Sequence, residues 1–162
     1  MLEYIPNNLV KIQSMPLYEN AKALIRQNLT EISQGKKAKL QVIGSFTDKQ
    51  FLDINQHRKK AELPPLECNE IVYIGRHHYQ SRSKDGYNIN DMVKQAESAL
   101  SVHSCLVPSN RATALENPHQ RHDGYGNLVN DRAILELTSK KPRAELFSVI
   151  PKGDSIKPND DQ

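Results

Sequence analysis

The sequence predicts an α+β protein in which helices flank an antiparallel sheet of four or five strands within a single compact domain. Apolar residues recur three or four positions apart in several segments between residues 17 and 100, which is the spacing of amphipathic helices. Short β-branched runs joined by short links follow in residues 102–150. Because most of the helices precede this series of strands instead of alternating with it, an antiparallel sheet is favoured over parallel βαβ units.

Three helices account for the helical spacing. The first is predicted at residues 17–34 and the second at residues 48–62, where Asp48 favours a helix start and Pro64 enforces an end. The third is predicted at residues 89–100, in which the apolar positions form one face. We expect these three segments to flank the sheet.

Strands are predicted where short, apolar, β-branched runs are bounded by turn residues. They cover residues 40–43, 71–74, 102–107, 112–115, 133–138 and 145–150. A polar stretch at 76–88 and a long loop at 117–130 separate some of them. Two turn dipeptides, Asp123-Gly124 and Gly126-Asn127, mark the loop.

The predicted organisation is one domain with two peripheral segments. Residues 1–15 carry no clear period and are expected to form an extension, and residues 153–162 are polar and are expected to form a disordered tail. The α+β domain covers residues 16–152, with a helical part at 16–66 and a sheet-rich part at 67–152.

Composition excludes several classes of protein. No apolar run approaches the roughly 20 residues that a helix needs to cross a membrane, and two cysteines do not make a disulfide scaffold. The formal net charge of +3, from 22 basic and 19 acidic residues, does not by itself indicate nucleic-acid binding. The N-terminus lacks the pattern of a secretory signal, so we expect a cytoplasmic protein or one delivered into a target cell by other machinery.

The densest polar cluster follows the strand at 71–74 and contains two imidazoles and two guanidinium groups, those of Arg76, His77, His78 and Arg82. Imidazole groups transfer protons near neutral pH, and guanidinium groups bind phosphate through paired hydrogen bonds. If the segment is helical, His78 and Arg82 lie on one face and can meet on one phosphate. The alternative is a solvated basic turn whose histidines cap or pack.

A second polar cluster lies in the long loop. His119 and His122 are candidate substrate contacts there, and Tyr125 is a candidate for stacking on a base. These histidines, together with His103 and Cys105, would also suit zinc, but no CxxC pair occurs, and no metal is predicted. The alternative is a plain surface loop that Tyr125 anchors onto the sheet.

The final strand ends at a third group of candidate residues. Ser148 and Lys152 are expected to reach a site at that end of the sheet, unless Ser148 simply fills a small position on the strand. The sequence has no phosphate loop, no dinucleotide-binding glycine motif, no nucleophile elbow and no HExxH motif. The common nucleotidases, dinucleotide enzymes, α/β-hydrolases and zincins are therefore excluded, and no cofactor is predicted.

Three stretches, at 71–82, 86–91 and 145–151, together with the order of elements, resemble the barnase–EndoU–colicin–RelE group of small RNases. They are most similar to the prophage- and toxin-associated members, and the resemblance covers residues 71–152. It implies metal-independent cleavage of RNA, often tRNA or ribosome-bound message. The sequence leaves open whether an inhibitor or immunity protein is a further partner.

The resemblance also implies roles for individual residues of the first polar cluster. His77 or His78 corresponds to the acid–base group, and Arg82 corresponds to a phosphate contact. The resemblance assigns no other residue. The substrate contacts predicted from the polar clusters themselves complete the site, and they are Arg76, Tyr125, Ser148, Lys152, His119 and His122.

The sequence therefore predicts a small metal-independent endoribonuclease of toxin or prophage type. In this hypothesis His78 removes the proton of a ribose 2′-hydroxyl, and the 2′-oxygen attacks the adjacent phosphate. The leaving 5′-oxygen takes a proton from His77, or from His119 or His122. The charge of the phosphorane is neutralised by the basic residues Arg76, Arg82 and Lys152.

Two other interpretations stay open. The protein is either a non-catalytic prophage structural or accessory component whose basic loop binds nucleic acid or a protein partner, or a transferase whose histidine cluster positions the phosphate of a nucleotide cofactor. A nuclease requires one of the two adjacent histidines, Arg82 and the end of the final strand to meet in one cleft. A binding module needs only a basic surface.

Overall fold

The computed structural model describes residues 16–107, 113–138 and 141–153. The predicted extension at 1–15 and the tail from residue 154 onwards lie outside the described residues. Within the described residues, the chain forms four helices and a seven-stranded mixed sheet, which confirms the α+β class. No helix in this part of the chain is long and apolar enough to cross a membrane.

The helices and strands are numbered in chain order. The helices are α1 (Ala21–Ser33), α2 (Asp48–Lys60), α3 (Arg76–Lys84) and α4 (Ile89–Ala99). The strands are β1 (Gln41–Ser45), β2 (Glu70–Tyr73), β3 (Cys105–Val107), β4 (Ala114–Glu116), β5 (Arg121–His122), β6 (Leu128–Leu137) and β7 (Ala144–Lys152).

The strand order is β1-β2-β7-β6-β4-β3, and β5 pairs with β6 outside this path. Every pair is antiparallel except β2 with β7, which is parallel. The prediction of four or five antiparallel strands is therefore wrong in number and in one orientation. The β6–β7 hairpin sets the direction of β7, and β7 then lies between β6 and the distant strand β2, a pairing that no local pattern encodes.

The long loop predicted at 117–130 is shorter than expected. It contains β5, and β6 already begins at Leu128. The alternation of buried and more exposed positions runs through the whole of β6, but the inward positions include Asp131, a charged residue in an otherwise apolar row. Because this carboxylate interrupts the apolar run, hydrophobic alternation alone does not predict the first half of the strand.

The three predicted helices are confirmed as α1, α2 and α4, with ends that differ by a few residues. Helix α2 begins with a capping box in which Thr47 and Gln50 satisfy each other's backbone N–H groups. Helix α4 begins with the equivalent pair of Asn88 and Asp91. Helix α1 starts at Ala21 instead of residue 17, because the preceding residues pair with β1.

Helix α3 occupies a stretch that has no apolar period. Of its nine residues only His78 is buried. A helix of this kind gains little from an apolar face, so its position depends on polar tertiary contacts. That is why hydrophobic spacing alone describes residues 76–88 as a polar connection.

One face of the sheet carries the hydrophobic core together with the helices. The buried residues from strands β2, β4, β6 and β7 that belong to it are Ile71, Tyr73, Leu115, Ala133, Leu135, Ala144, Leu146 and Val149. Helices α1, α2 and α4 contribute further residues, among them Ile25, Leu29, Ile54, Met92 and Ala96. This single core positions the start of α3 beside β7.

The segment before α1 is held against the outer side of β1 by a close backbone approach at Gly44. Leu17 forms a bridge to Gly44, the Ser45 N–H donates to the Pro16 carbonyl at 2.6 Å, and the Tyr18 N–H donates to the Ile43 carbonyl at 2.9 Å. A Cβ on Gly44 would lie 1.7 Å from the Pro16 carbonyl oxygen. Only glycine fits this position without moving one of the two backbones.

Replacing Gly44→Ala is expected to lower the free energy of unfolding by about 2 to 3 kcal/mol, because the segment at 16–18 must leave β1. Gly35→Ala is the control: it has a φ of +78° but no atom within 4 Å of its added Cβ, so it should cost only about 1 kcal/mol. Urea unfolding of both variants measures the difference. Equal losses would show that the close approach is not a constraint.

Candidate functional site

Helix α3 leaves the sheet through a sharp turn at Gly75. This residue has a φ of +98°, and a Cβ there would lie 2.8 Å from the ring of Tyr73. Glycine is therefore required both by the left-handed backbone and by the space. The turn brings α3 back across the end of β2 and alongside β7.

His78 lies entirely inside the protein. It has no exposed surface, its Nδ1 is 2.8 Å from the hydroxyl of Tyr73, and its Nε2 is 3.1 Å from Oε1 of Gln95. The three side chains come from β2, α3 and α4. These hydrogen bonds join the polar helix α3 to β2 and α4, and Tyr79 of the same helix packs against the hydrophobic core.

Burial lowers the pKa of His78 to about 4; the hydrogen bond to Gln95 opposes this effect, and the charges of Arg82 and His77 add to it. Burial also raises the pKa of Tyr73. Both groups are therefore neutral near pH 7. The arrangement is satisfied when the Tyr73 hydroxyl donates to Nδ1 and Nε2–H donates to Gln95.

The predicted role of His78 as general base does not fit this environment. Both ring nitrogens are engaged by buried partners, and no face of the ring meets solvent. A base must reach the proton that it removes. His78 is therefore a structural residue, as in the alternative in which the histidines only pack.

His77, the adjacent residue, is exposed. Its ring stacks on Phe147 of β7, with centroids 4.4 Å apart and planes inclined by 20°. Its Nε2 is 3.3 Å from the hydroxyl of Ser81, one turn further along α3. The stacking and the hydroxyl together fix the plane of an imidazole that solvent can reach.

The two predicted arginines differ in their access to solvent. The side chain of Arg82 is only 13% exposed and pairs with Asp85 at 3.3 Å. Its Nε is buried and has no hydrogen-bond partner among the described residues. Arg76, the first residue of α3, is exposed beside His77. Arg76 therefore suits a phosphate contact, whereas Arg82 is largely engaged within the protein.

The final strand supplies one accessible candidate residue. Ser148 is 3% exposed, so it fills a small buried position on β7 and is not presented to a substrate. Lys152 is exposed and pairs in register with Asn130 at the end of β7. The strand therefore brings Phe147 against His77, while Lys152 lies five residues further along the same strand.

The two loop histidines, His119 and His122, are exposed, and their contacts are with residues other than His77. The ring of His119 meets that of His103 at a centroid distance of 5.6 Å, and His122 is an exposed residue of β5. Within residues 16–107, 113–138 and 141–153, no three His, Cys, Asp or Glu side chains are grouped so that they could hold a metal ion.

Tyr125 anchors the loop instead of standing free. Its hydroxyl donates to Asp91 at 2.9 Å, and its ring meets that of Tyr87 edge-on at 5.8 Å. Asp123 closes the turn by accepting hydrogen bonds from the backbone N–H groups of Tyr125 and Asn127 and from the Asn127 side chain. The ring remains 40% exposed, so a base can still contact its free face.

Two buried carboxylates in this region were not among the predicted residues. Burial pushes the pKa of Asp123 upward, but hydrogen bonds from Asn127, Tyr125 and Tyr87 outweigh it and leave that pKa below its ordinary value. Burial raises the pKa of Asp131, although Arg121 opposes it. Arg121 donates to both oxygens of Asp131, at 2.5 and 3.0 Å.

A sequence signal for these residues does exist. Asp123 and Tyr125 repeat the Asp-Gly-Tyr triplet that begins at Asp85, and the two tyrosines of this repeat are the pair in contact. Asp131 stands at an inward position of β6. An acid within an apolar row indicates a buried partner, here Arg121.

The structure thus brings His77, Ser81 and Phe147 together on the accessible side of α3 and β7, with the exposed Arg76 next to His77 in the sequence. Among the described residues, no hydrogen bond or ring contact joins His119 or His122 to this group. Comparison with protein-family models, curated proteins and solved structures finds no match to the chain.

The substitution His78→Ala is expected to lower the free energy of unfolding by about 3 kcal/mol, because it leaves a cavity and unpairs two buried groups. His57→Ala, at a partly exposed position of α2, is the matched control and should change stability by less than about 0.5 kcal/mol. Urea unfolding at neutral pH measures both. Similar values for the two variants would contradict a structural role for His78.

The same histidine makes stability depend on pH. The folded pKa of about 4 lies below the ordinary value of 6.5, so between these values the unfolded chain binds a proton that the folded chain does not. Stability therefore falls as the pH drops through this window. The advantage of the wild type over His78→Ala should shrink by roughly 3 kcal/mol between pH 7 and pH 4. A gap that stays constant in urea titrations across this range would contradict the assignment.

Proposed function

We propose that the protein is a small metal-independent endoribonuclease in which His77, and not His78, transfers the proton. The observation that carries this proposal is the state of the His77 ring: exposed, stacked on Phe147 and 3.3 Å from the Ser81 hydroxyl. A fixed yet accessible imidazole is what a general base requires. RNA, as tRNA or ribosome-bound message, is the proposed partner, and the cytoplasm is the proposed location.

In the proposed reaction the neutral imidazole of His77 takes the proton from a ribose 2′-hydroxyl. The 2′-oxygen forms a bond to the adjacent phosphorus, and the bond from phosphorus to the 5′-oxygen breaks. The leaving 5′-oxygen takes a proton from water. The products are a 2′,3′-cyclic phosphate and a free 5′-hydroxyl, and no oxidant, cofactor or metal enters the balance.

Charge develops on the phosphate oxygens as the 2′-oxygen attacks. Arg76 precedes His77 directly and is exposed, so its guanidinium suits two of these oxygens at once. The buried chain from Tyr73 through His78 to Gln95 supports this arrangement, because it fixes the helix from which both side chains project. Ser81 orients the ring of His77 through its hydroxyl.

A non-catalytic RNA-binding protein is the second candidate. It is favoured by the position of His119, whose ring meets that of His103; among the described residues, the ring contact of His77 is with Phe147 and not with a second exposed imidazole. A protein of this type would use the exposed cations of α3 for binding alone. The two candidates differ in whether RNA is cut.

The variant His77→Ala is expected to reduce the rate of RNA cleavage by about 10²- to 10⁴-fold, which is the usual cost of losing a positioned acid–base group. His57→Ala is the matched control, since it removes an imidazole from α2 and should leave cleavage unchanged. The measurement is cleavage of end-labelled total RNA with and without EDTA, with the 3′ ends of the products analysed for cyclic phosphate.

Two outcomes would contradict the proposal. If the wild-type protein leaves total RNA intact between about pH 5 and pH 9, the protein is not a ribonuclease of this kind. If His77→Ala cuts as fast as the wild type, the proton is transferred elsewhere. Thermal melting of each variant confirms that it is folded, so a loss of activity is not a loss of structure.

A further inference from the structure

A groove with a volume of about 920 Å³ crosses one end of the sheet. It lies where the segment leading into β1 approaches the ends of β2 and β6 and the start of β7. The residues that line it include Lys37, Lys39, Leu40, Ile74, Leu137 and Arg143. Three of these six side chains are cationic and three are apolar.

The rim of the groove is positively charged. Lys37 and Lys39 are exposed, and neither forms an ion pair within the part of the chain that the structure describes. Arg143 donates to Glu70 at 3.1 Å, while its Nε is buried without a hydrogen-bond partner in the same described ranges. The lysines are therefore available to an anionic ligand.

One acidic residue, Glu145, also lines the groove. Burial raises its pKa, and Glu136, which stands directly opposite on β6, raises it further. Glu145 is thus one carboxylate set against three cationic side chains in the lining, those of Lys37, Lys39 and Arg143. Cationic side chains therefore outnumber acidic ones along the groove, and the two lysines among them are exposed.

The last strand connects the groove with His77. Glu145 lines the groove, and Phe147, on which His77 stacks, lies two residues further along β7. Two residues along a strand span about 6.6 Å, which is close to the length of one nucleotide step. Leu40 is 39% exposed and, with Ile74 and Leu137, gives the groove an apolar floor on which a base can lie.

We propose that this groove binds single-stranded RNA on one side of the phosphate that His77 attacks. The inference rests on the proposed function for its choice of substrate. A single strand fits because its bases are free to contact the apolar floor, whereas a duplex hides them. A peptide made only of acidic residues, such as polyglutamate, would contact the lysines but would leave Leu40, Ile74 and Leu137 without a partner.

The test uses a labelled 2′-O-methyl RNA of about 12 nucleotides, which has no 2′-hydroxyl and can be bound but not cut by 2′-oxygen attack. Binding to the wild type is measured over a series of salt concentrations. The double variant Lys37→Gln/Lys39→Gln should bind more weakly, and the slope of log K against log salt should fall by about 1.4, since each contact with a single strand contributes about 0.7.

Lys49→Gln/Lys94→Gln is the matched control. It removes the same charge from exposed positions of α2 and α4 and should keep the wild-type slope. The inference is overturned if both double variants change the slope equally, if the groove variant keeps the wild-type slope, or if polyglutamate competes with the RNA as well as unlabelled RNA does.

Cleavage of unmodified RNA separates this inference from the proposed function. If the wild type binds the probe through the two groove lysines but cuts no RNA, the groove stands and the ribonuclease proposal fails. If the wild type cuts RNA in a manner that depends on His77, yet the groove variant binds and cuts like the wild type, the ribonuclease proposal stands and the groove fails.

Discussion

The buried hydrogen-bond chain from Tyr73 through His78 to Gln95 is the interaction on which the candidate site depends. Helix α3 has one buried residue among nine, His78, and adds the partly buried Tyr79 to the hydrophobic core. A typical buried hydrogen bond adds only about 1 kcal/mol to stability, but leaving its partner unpaired costs about 1 to 3 kcal/mol. Any other placement of α3 would leave these buried groups unpaired, so the hydrogen bonds fix the position of the helix. They thereby also fix the position of His77, the exposed neighbour of His78.

Buried polar groups also fix the position of the segment that contains Asp123 and Asp131. Asp123 collects hydrogen bonds from its own turn and from Tyr87, and Asp131 is buried against Arg121. Asp123 lies in the polar loop between β4 and β6, and Arg121 of β5 ties this loop to Asp131 of β6. The loop is therefore ordered by satisfied polar groups, which explains its polar composition.

Much of the fold could be predicted from local patterns, whereas the site could not. Helix α4 has an apolar face and an Asn88–Asp91 capping box, and both are visible in the sequence. His77 and His78 are the same residue type at neighbouring positions, and only burial distinguishes them. The partners that bury His78 stand 5 and 17 positions away. No local rule selects between two such histidines, nor does any local rule place the last strand beside β2.

The position of β7 has a consequence for how the sheet assembles. This strand, the last that the structure describes, lies between β2 on one side and β6 on the other. Without β7 the sheet would be two separate pieces, one made of β1 and β2 and the other of β3 to β6. Each piece would have an edge strand with unpaired backbone groups. Contacts of such long sequence separation carry a high closure entropy and form late. During synthesis from the N-terminus, both pieces therefore form before β7 is available. Until β7 inserts between them, their unpaired edges can pair with other chains.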